Sequence, residues 1–153
     1  LGKVFTLTSK LTLGYGNGYG DNSLLPIYKY FFLGGPDSVR GYKAFSMGPR
    51  DSNDDPIGGN AVINGNLELW FPPPFITGAA ETVKMAAFFD IGNVFDTHRD
   101  EYDINAGDLR YTTGLAATWL SPLGVLTVSY GVPLNKKDED EIENFQFTFG
   151  TSF

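Results

Sequence analysis

The alternation that closes the chain constrains its fold more than any other feature. From Phe145 to Phe153 the odd positions read Phe145, Phe147, Phe149, Thr151 and Phe153, and the even positions Gln146, Thr148, Gly150 and Ser152. In an extended strand these parities lie on opposite faces, so one face is almost wholly aromatic and the other polar or small. The same period recurs upstream. Leu126, Val128, Tyr130 and Val132 oppose Val125, Thr127, Ser129 and Gly131, and Tyr111 to Trp119 opposes Arg110 to Thr118. Val83, Met85, Ala87, Phe89 and Ile91 oppose Lys84, Ala86, Phe88, Asp90 and Gly92; Ile63, Leu67, Leu69 and Phe71 oppose Val62, Asn64, Asn66, Glu68 and Trp70. A first strand over about Val4 to Tyr15 sets Leu7, Leu11 and Leu13 against Thr6, Thr8, Lys10 and Thr12. No stretch sustains a 3.6-residue apolar period, so no helix is expected.

The connections decide where the apolar faces point. Short ones cover Pro72 to Glu81 and Ser121 to Gly124, whereas long polar ones cover Gly16 to Gly59, Asp96 to Asp108 and Asn135 to Asn144. In an up-and-down meander alternate connections lie at opposite ends, so all short turns fall at one end and all long loops at the other. That is the asymmetry of outer-membrane barrels; a soluble sandwich has no reason to sort its loops. No run of about 18 apolar residues exists, which excludes a transmembrane helix, but a transmembrane strand needs only about 9–11 residues. Tyr111, Trp119, Phe71 and Phe153 at the ends of outward faces suit aromatic girdles. The expected fold is all-β: an antiparallel transmembrane β-barrel portion of about six strands with a long extracellular loop that enters the lumen. Single-chain bacterial barrels begin at about 8 strands, and an open edge in lipid leaves backbone groups unpaired. Residues 1–153 therefore read as the C-terminal portion of a larger barrel, a processed or excised chain starting at Leu1, with earlier strands absent. Alone, such a piece would need another copy of itself, or the missing strands, to satisfy its edges.

Composition narrows the chemistry. The chain has no Cys, which removes disulfides and thiolate metal sites. Its single histidine, His98, lies in a loop and leaves almost nothing for zinc or a nucleophile–base pair. No cofactor, metal or enzymatic activity is expected. A net charge of −7 argues against nucleic-acid binding. Tyr15 to Gly20 is glycine-rich but lacks the following helix of a phosphate cradle. Asp51, Asp54 and Asp55 either hold a divalent cation or form a solvated acidic loop; they lack the final Glu of a calcium loop.

The Gly16–Gly59 loop far exceeds the usual length for a connection, and its middle (Tyr28, Tyr30, Phe31, Phe32, Leu33) is too apolar to float in water. We expect it to fold into the barrel mouth. Arg40 then lies near the lumen, where an unpaired guanidinium is costly, and Glu68 and Asp90 lie on inward parities. The alternative is an exposed Arg40 on a surface turn.

Gly34, Gly35, Val39, Arg40, Gly41 and Tyr42 in this loop resemble the signature of the outer-membrane translocase superfamily that includes the β-barrel assembly factors. Leu67-Glu68-Leu69, Phe88 to Val94, Trp119 to Gly124 and Phe145 to Gly150 resemble it in the same order. The family's periplasmic POTRA domains are not in the chain. The resemblance implies that the arginine is clasped in the barrel by an acidic pair and an aromatic, here Glu68, Asp90 and Phe88. It further implies an outer-membrane location, and contact with lipid, nascent β-barrel proteins and assembly-machinery lipoproteins. It implies a closing strand (Phe145, Phe147, Phe149, Gly150) that curls to open a seam. From the residues alone, Gly150 equally suits close packing against a neighbour. Phe153 resembles a C-terminal assembly signal, and also suits an interface anchor. The function expected is insertion of β-barrel proteins into the outer membrane, an unpaired edge templating the incoming strand. Alternatives are a polypeptide-secretion or autotransporter-assembly pore of the same superfamily, a diffusion porin, or an outer-membrane enzyme.

Overall fold

The computed structural model describes residues 4–18, 25–78 and 81–150. Strands β1 (Thr6–Tyr15), β3 (Ala61–Phe71), β4 (Val83–Phe95), β5 (Arg110–Ser121), β6 (Gly124–Pro133) and β8 (Phe145–Gly150) form one sheet in that order. Every neighbouring pair is antiparallel. Two short strands inside the long loops, β2 (Gly41–Tyr42) and β7 (Ile142–Glu143), pair with each other. The helical content among the described residues is three 3-10 turns of three residues each. No helix among the described residues is long and apolar enough to cross a membrane, which says nothing of crossing by strands.

Along β4, β6 and β8 the faces sort as the dyad alternation requires, whereas both faces of β1 are exposed. On β8, Phe145, Phe147 and Phe149 are 60%, 67% and 59% exposed, whereas Gln146 between them is 3% exposed. Leu7, Leu11 and Leu13 of β1, Leu67 and Leu69 of β3, Leu115 and Trp119 of β5 and Tyr130 of β6 are likewise exposed. So broad a bare apolar surface suits lipid, not water. Phe153 lies outside the described residues.

The largest apolar cluster is made by the first long loop against the sheet's inner face. Leu33, Val39, Tyr42 and Met47 from the loop pack on Val62 of β3 and Val94 of β4, flanked by Phe31 and Ile142. Burying each large side chain contributes roughly 1.5–3 kcal/mol, so the loop is a packed element rather than a tether. The expectation that its whole apolar middle enters the mouth needs correcting. Leu33 is 5% exposed but Tyr28 is 83% exposed, and Phe32 also faces out. Phe31 bridges to Gly59 and Leu33 to Met47 in extended geometry, so the residue between them points the other way.

Among the described residues, a Cβ at Gly150 meets nothing within 4 Å. Gly150→Ala is expected to change stability by less than about 0.5 kcal/mol, as at an ordinary surface site. A denaturation midpoint displaced by more than that would reveal a contact not seen here.

Candidate functional site

Antiparallel register sets inward residues in rows across the sheet. One row runs Thr8, Glu68, Phe88, Gly114, Gly131, and the next runs Lys10, Asn66, Asp90, Thr112, Pro133. Glu68 and Phe88 are therefore direct neighbours, with Asp90 two residues further along its strand. The loop delivers Arg40 onto this patch from the lumen side.

The guanidinium spans both rows. Arg40 Nε donates to Asp90 Oδ2 and Nη2 to Asp90 Oδ1, each at 2.7 Å, while Nη1 lies 2.6 Å from Glu68 Oε1. The fork is bidentate on Asp90, the geometry that makes arginine–carboxylate pairs strong. The backbone N–H of Arg40 also donates to Asp90 Oδ2 at 3.1 Å. The Phe88 ring lies under the cation, 3.7 Å from its centroid to the guanidinium carbon, a cation–π contact of short reach. Burial works against the charge on Arg40, but Asp90 and Glu68 more than offset it, and the guanidinium pKa is raised. An exposed Arg40 is excluded: its side chain is 8% and that of Asp90 0% accessible.

Other signature residues shape the backbone around this cluster. Gly34 and Gly35 take φ of +111° and +108°; Gly34 N–H donates to Ser38 Oγ and Gly35 N–H to the Tyr42 carbonyl. Val39 and Tyr42 are fully buried in the loop core, and burial pushes the Tyr42 phenol pKa up. Gly41 rests flush on β6: a Cβ there would stand 3.2 Å from the Gly131 backbone.

Four residues that the sequence reading passed over complete the site. Asn66 Nδ2 donates to the Ser38 carbonyl at 2.6 Å and to Asp90 Oδ1 at 2.8 Å. Trp70 Nε1 donates to Glu68 Oε2 at 2.9 Å. Gly114 leaves room for the Phe88 ring, which a Cβ would meet at 2.7 Å. Gln146 reaches the loop from β8. All four lie on the inward parity, which was the signal available for them. Phe145, Phe147, Phe149 and Gly150 of the closing strand lie away from the Arg40 cluster, on the outer face or at the far end of β8.

The two other long loops are tied to each other. Arg110 Nε donates to Asp140 Oδ2 at 2.6 Å and Lys137 lies 2.5 Å from Asp108, joining the β4–β5 and β6–β8 loops. Asp51 accepts the N–H groups of Asn53 and Asp55 within its own turn. Among the described residues no three His, Cys, Asp or Glu side chains are placed to hold a metal ion. His98 is exposed.

The family model described as the Omp85 superfamily domain matches residues 1–153. The chain belongs to the Omp85 superfamily. It is 40% identical over 180 residues to "Outer membrane protein assembly factor BamA" of Neisseria meningitidis, covering 100% of this chain and 22% of that protein. The BamA of Nitratidesulfovibrio vulgaris is 35% identical over 142 residues, covering 90% of the chain and 17% of the relative. This Omp85 chain thus spans about a fifth of the length of these relatives. Among solved structures it is similar to BamA from Haemophilus ducreyi lacking POTRA domains 1-3, with a TM-score of 0.83 and 34% identity. That match covers 97% of this chain and 32% of the other. The antiparallel sheet, its loops and its strand order are those of an Omp85 barrel portion.

Proposed function

We propose that the protein containing this chain lies in the outer membrane and folds and inserts other β-barrel proteins there. The observation that carries the reading is similarity over the whole of this chain, at 40% identity, to part of a relative named as an outer-membrane assembly factor. A yeast relative, "Sorting assembly machinery 50 kDa subunit", is 24% identical over 97% of this chain and supports the same class of work. The geometry suits a non-enzymatic mechanism. In this reading the edge of the closing strand β8 templates an incoming strand through main-chain hydrogen bonds. Nascent β-barrel proteins are the substrates in this reading, and assembly-machinery lipoproteins are proposed partners on family resemblance alone.

The test is insertion kinetics. Lipid vesicles carrying the full-length protein are expected to take up unfolded β-barrel substrates faster than bare vesicles. Equal rates, with large steady single-channel conductance, would favour a diffusion porin instead. An esterase activity abolished by His98→Ala would restore the enzyme class.

A further inference from the structure

Gln146 is the buried polar residue of β8, set between exposed phenylalanines, and both halves of its amide are spent on the signature loop. Its Nε2 donates to the Tyr42 carbonyl at 2.7 Å, and its Oε1 accepts the Gly41 N–H at 3.3 Å. These partners are more than 100 positions away in sequence. A carboxamide alone among unbranched side chains of this length offers a donor and an acceptor together. Buried backbone groups need such partners.

We propose that Gln146 is a positioning residue that latches β8 to the Arg40 loop, so that the pairing of the last strand and the seating of the loop rise and fall together. The inference rests on the assembly reading above and deepens it by naming how the closing strand is held. Three further observations place the latch. Asn144, just before β8, exchanges hydrogen bonds with Gly131: Gly131 N–H donates to the Asn144 carbonyl at 2.9 Å and Asn144 Nδ2 to the Gly131 carbonyl at 2.8 Å. Gly131 in turn has no side chain where Arg40 and Gly41 pass, and a Cβ there would stand 3.0 Å from both. Strand β7 pairs with β2, and Lys43 N–H donates to the Glu141 carbonyl, so the β6–β8 loop is also tied down. Among these ties Gln146 is the one carried by β8 itself. The other anchor of the loop, Arg40 on Glu68 and Asp90, sits on β3 and β4. Gln146 therefore connects the final strand with a loop fixed three and four strands further along the sheet. Linkage of this kind is reciprocal: what loosens the loop loosens β8, and the reverse.

The experiment is amide hydrogen exchange on the full-length protein in phosphatidylcholine vesicles, without substrate. Exchange reports the population of locally opened states. Gln146→Leu keeps the bulk and removes both hydrogen bonds. It is expected to speed exchange about tenfold at residues 40–43 and, together with them, along β8, a size set by the loss of one or two buried hydrogen bonds. Arg40→Lys, which weakens the far anchor, is expected to speed exchange in β8 when Gln146 is present and to add nothing in the Gln146→Leu background. Should Gln146→Leu not fold, as shown by loss of heat-modifiable gel mobility, Gln146→Met keeps an unbranched side chain of similar length with no amide donor or acceptor; it should loosen both regions together by a similar factor. Exchange that rises on one side alone, or effects of the two substitutions that multiply independently in β8, would overturn the latch. Coupled exchange in a protein that does not speed insertion would sink the assembly reading and leave the latch standing. Uncoupled exchange in a protein that does speed insertion would do the opposite.

Discussion

Arg40→Ala is expected to release the signature loop from the barrel wall. The substitution removes the bidentate bonds to Asp90 and the ion pair to Glu68, and leaves the Asp90 carboxylate fully buried beside an empty space. Asn66 and the backbone N–H of residue 40 still donate to it, but neither carries a charge. Breaking a buried pair by deleting one partner costs on the order of 3–5 kcal/mol, because the remaining charge stays uncompensated. That cost falls on loop docking, since the sheet's own ladders do not involve Arg40. Limited proteolysis of the full-length protein reads it directly, with cleavage expected between residues 37 and 50 at sites shielded in the parent. A penalty of that size corresponds to an opened population larger by a factor of at least about a hundred. Arg40→Lys should recover only part of the protection, because an ammonium restores charge but not the planar fork. Parent-like resistance in Arg40→Ala would mean that the apolar contacts of Leu33, Val39 and Met47 hold the loop unaided.

The strands were legible because a period of two leaves a mark in every window of six or more residues. The sheet order followed from connection lengths. Strands β2 and β7 are two residues each, too short for any alternation to show. Strand β4 runs on through Asn93, Val94 and Phe95, where both parities are buried and the pattern vanishes: the loop covers one face while Phe95 pairs beside Ala61. In the site, parity placed Glu68 and Asp90 on the inner face, but family resemblance, not spacing, named them with Phe88 as partners of Arg40. Asn66 carried the same parity signal and was passed over, since an amide between two carboxylates looks like ordinary lumen polarity until the loop's Ser38 carbonyl is beside it. Gln146 was hidden for a different reason. The aromatic residues around it dominate the strand, and its partners lie across the whole sequence. Exposure of Tyr28 and Phe32 shows the converse failure: apolar content predicts that a loop folds back, but not which side chains go in.

The second large effect is expected at Gly41. This residue combines a φ of +92° with close backbone contact on β6. Alanine there meets two penalties. Holding an L-residue in the left-handed half of conformational space costs roughly 1–2 kcal/mol, and the added Cβ would sit 3.2 Å from the Gly131 carbonyl carbon and oxygen. Those are main-chain atoms inside a hydrogen-bonded strand, so they yield less readily than a side chain, and overpacking of this kind costs about 1–3 kcal/mol. Gly41→Ala should thus weaken loop docking by about 2–5 kcal/mol in total. Gly131→Ala probes the steric part from the other side: a Cβ there would stand 3.0 Å from the Arg40 carbonyl carbon and the Gly41 nitrogen, and Gly131 carries no positive φ. It should cost about 1–3 kcal/mol. In the proteolysis measurement described for Arg40, Gly41→Ala must therefore be the more susceptible of the two, and the double substitution less than the sum, since both press on one contact. Equal susceptibility of the two single variants would show that backbone conformation at Gly41 is not a constraint. Additive losses would show that loop and strand do not share that contact.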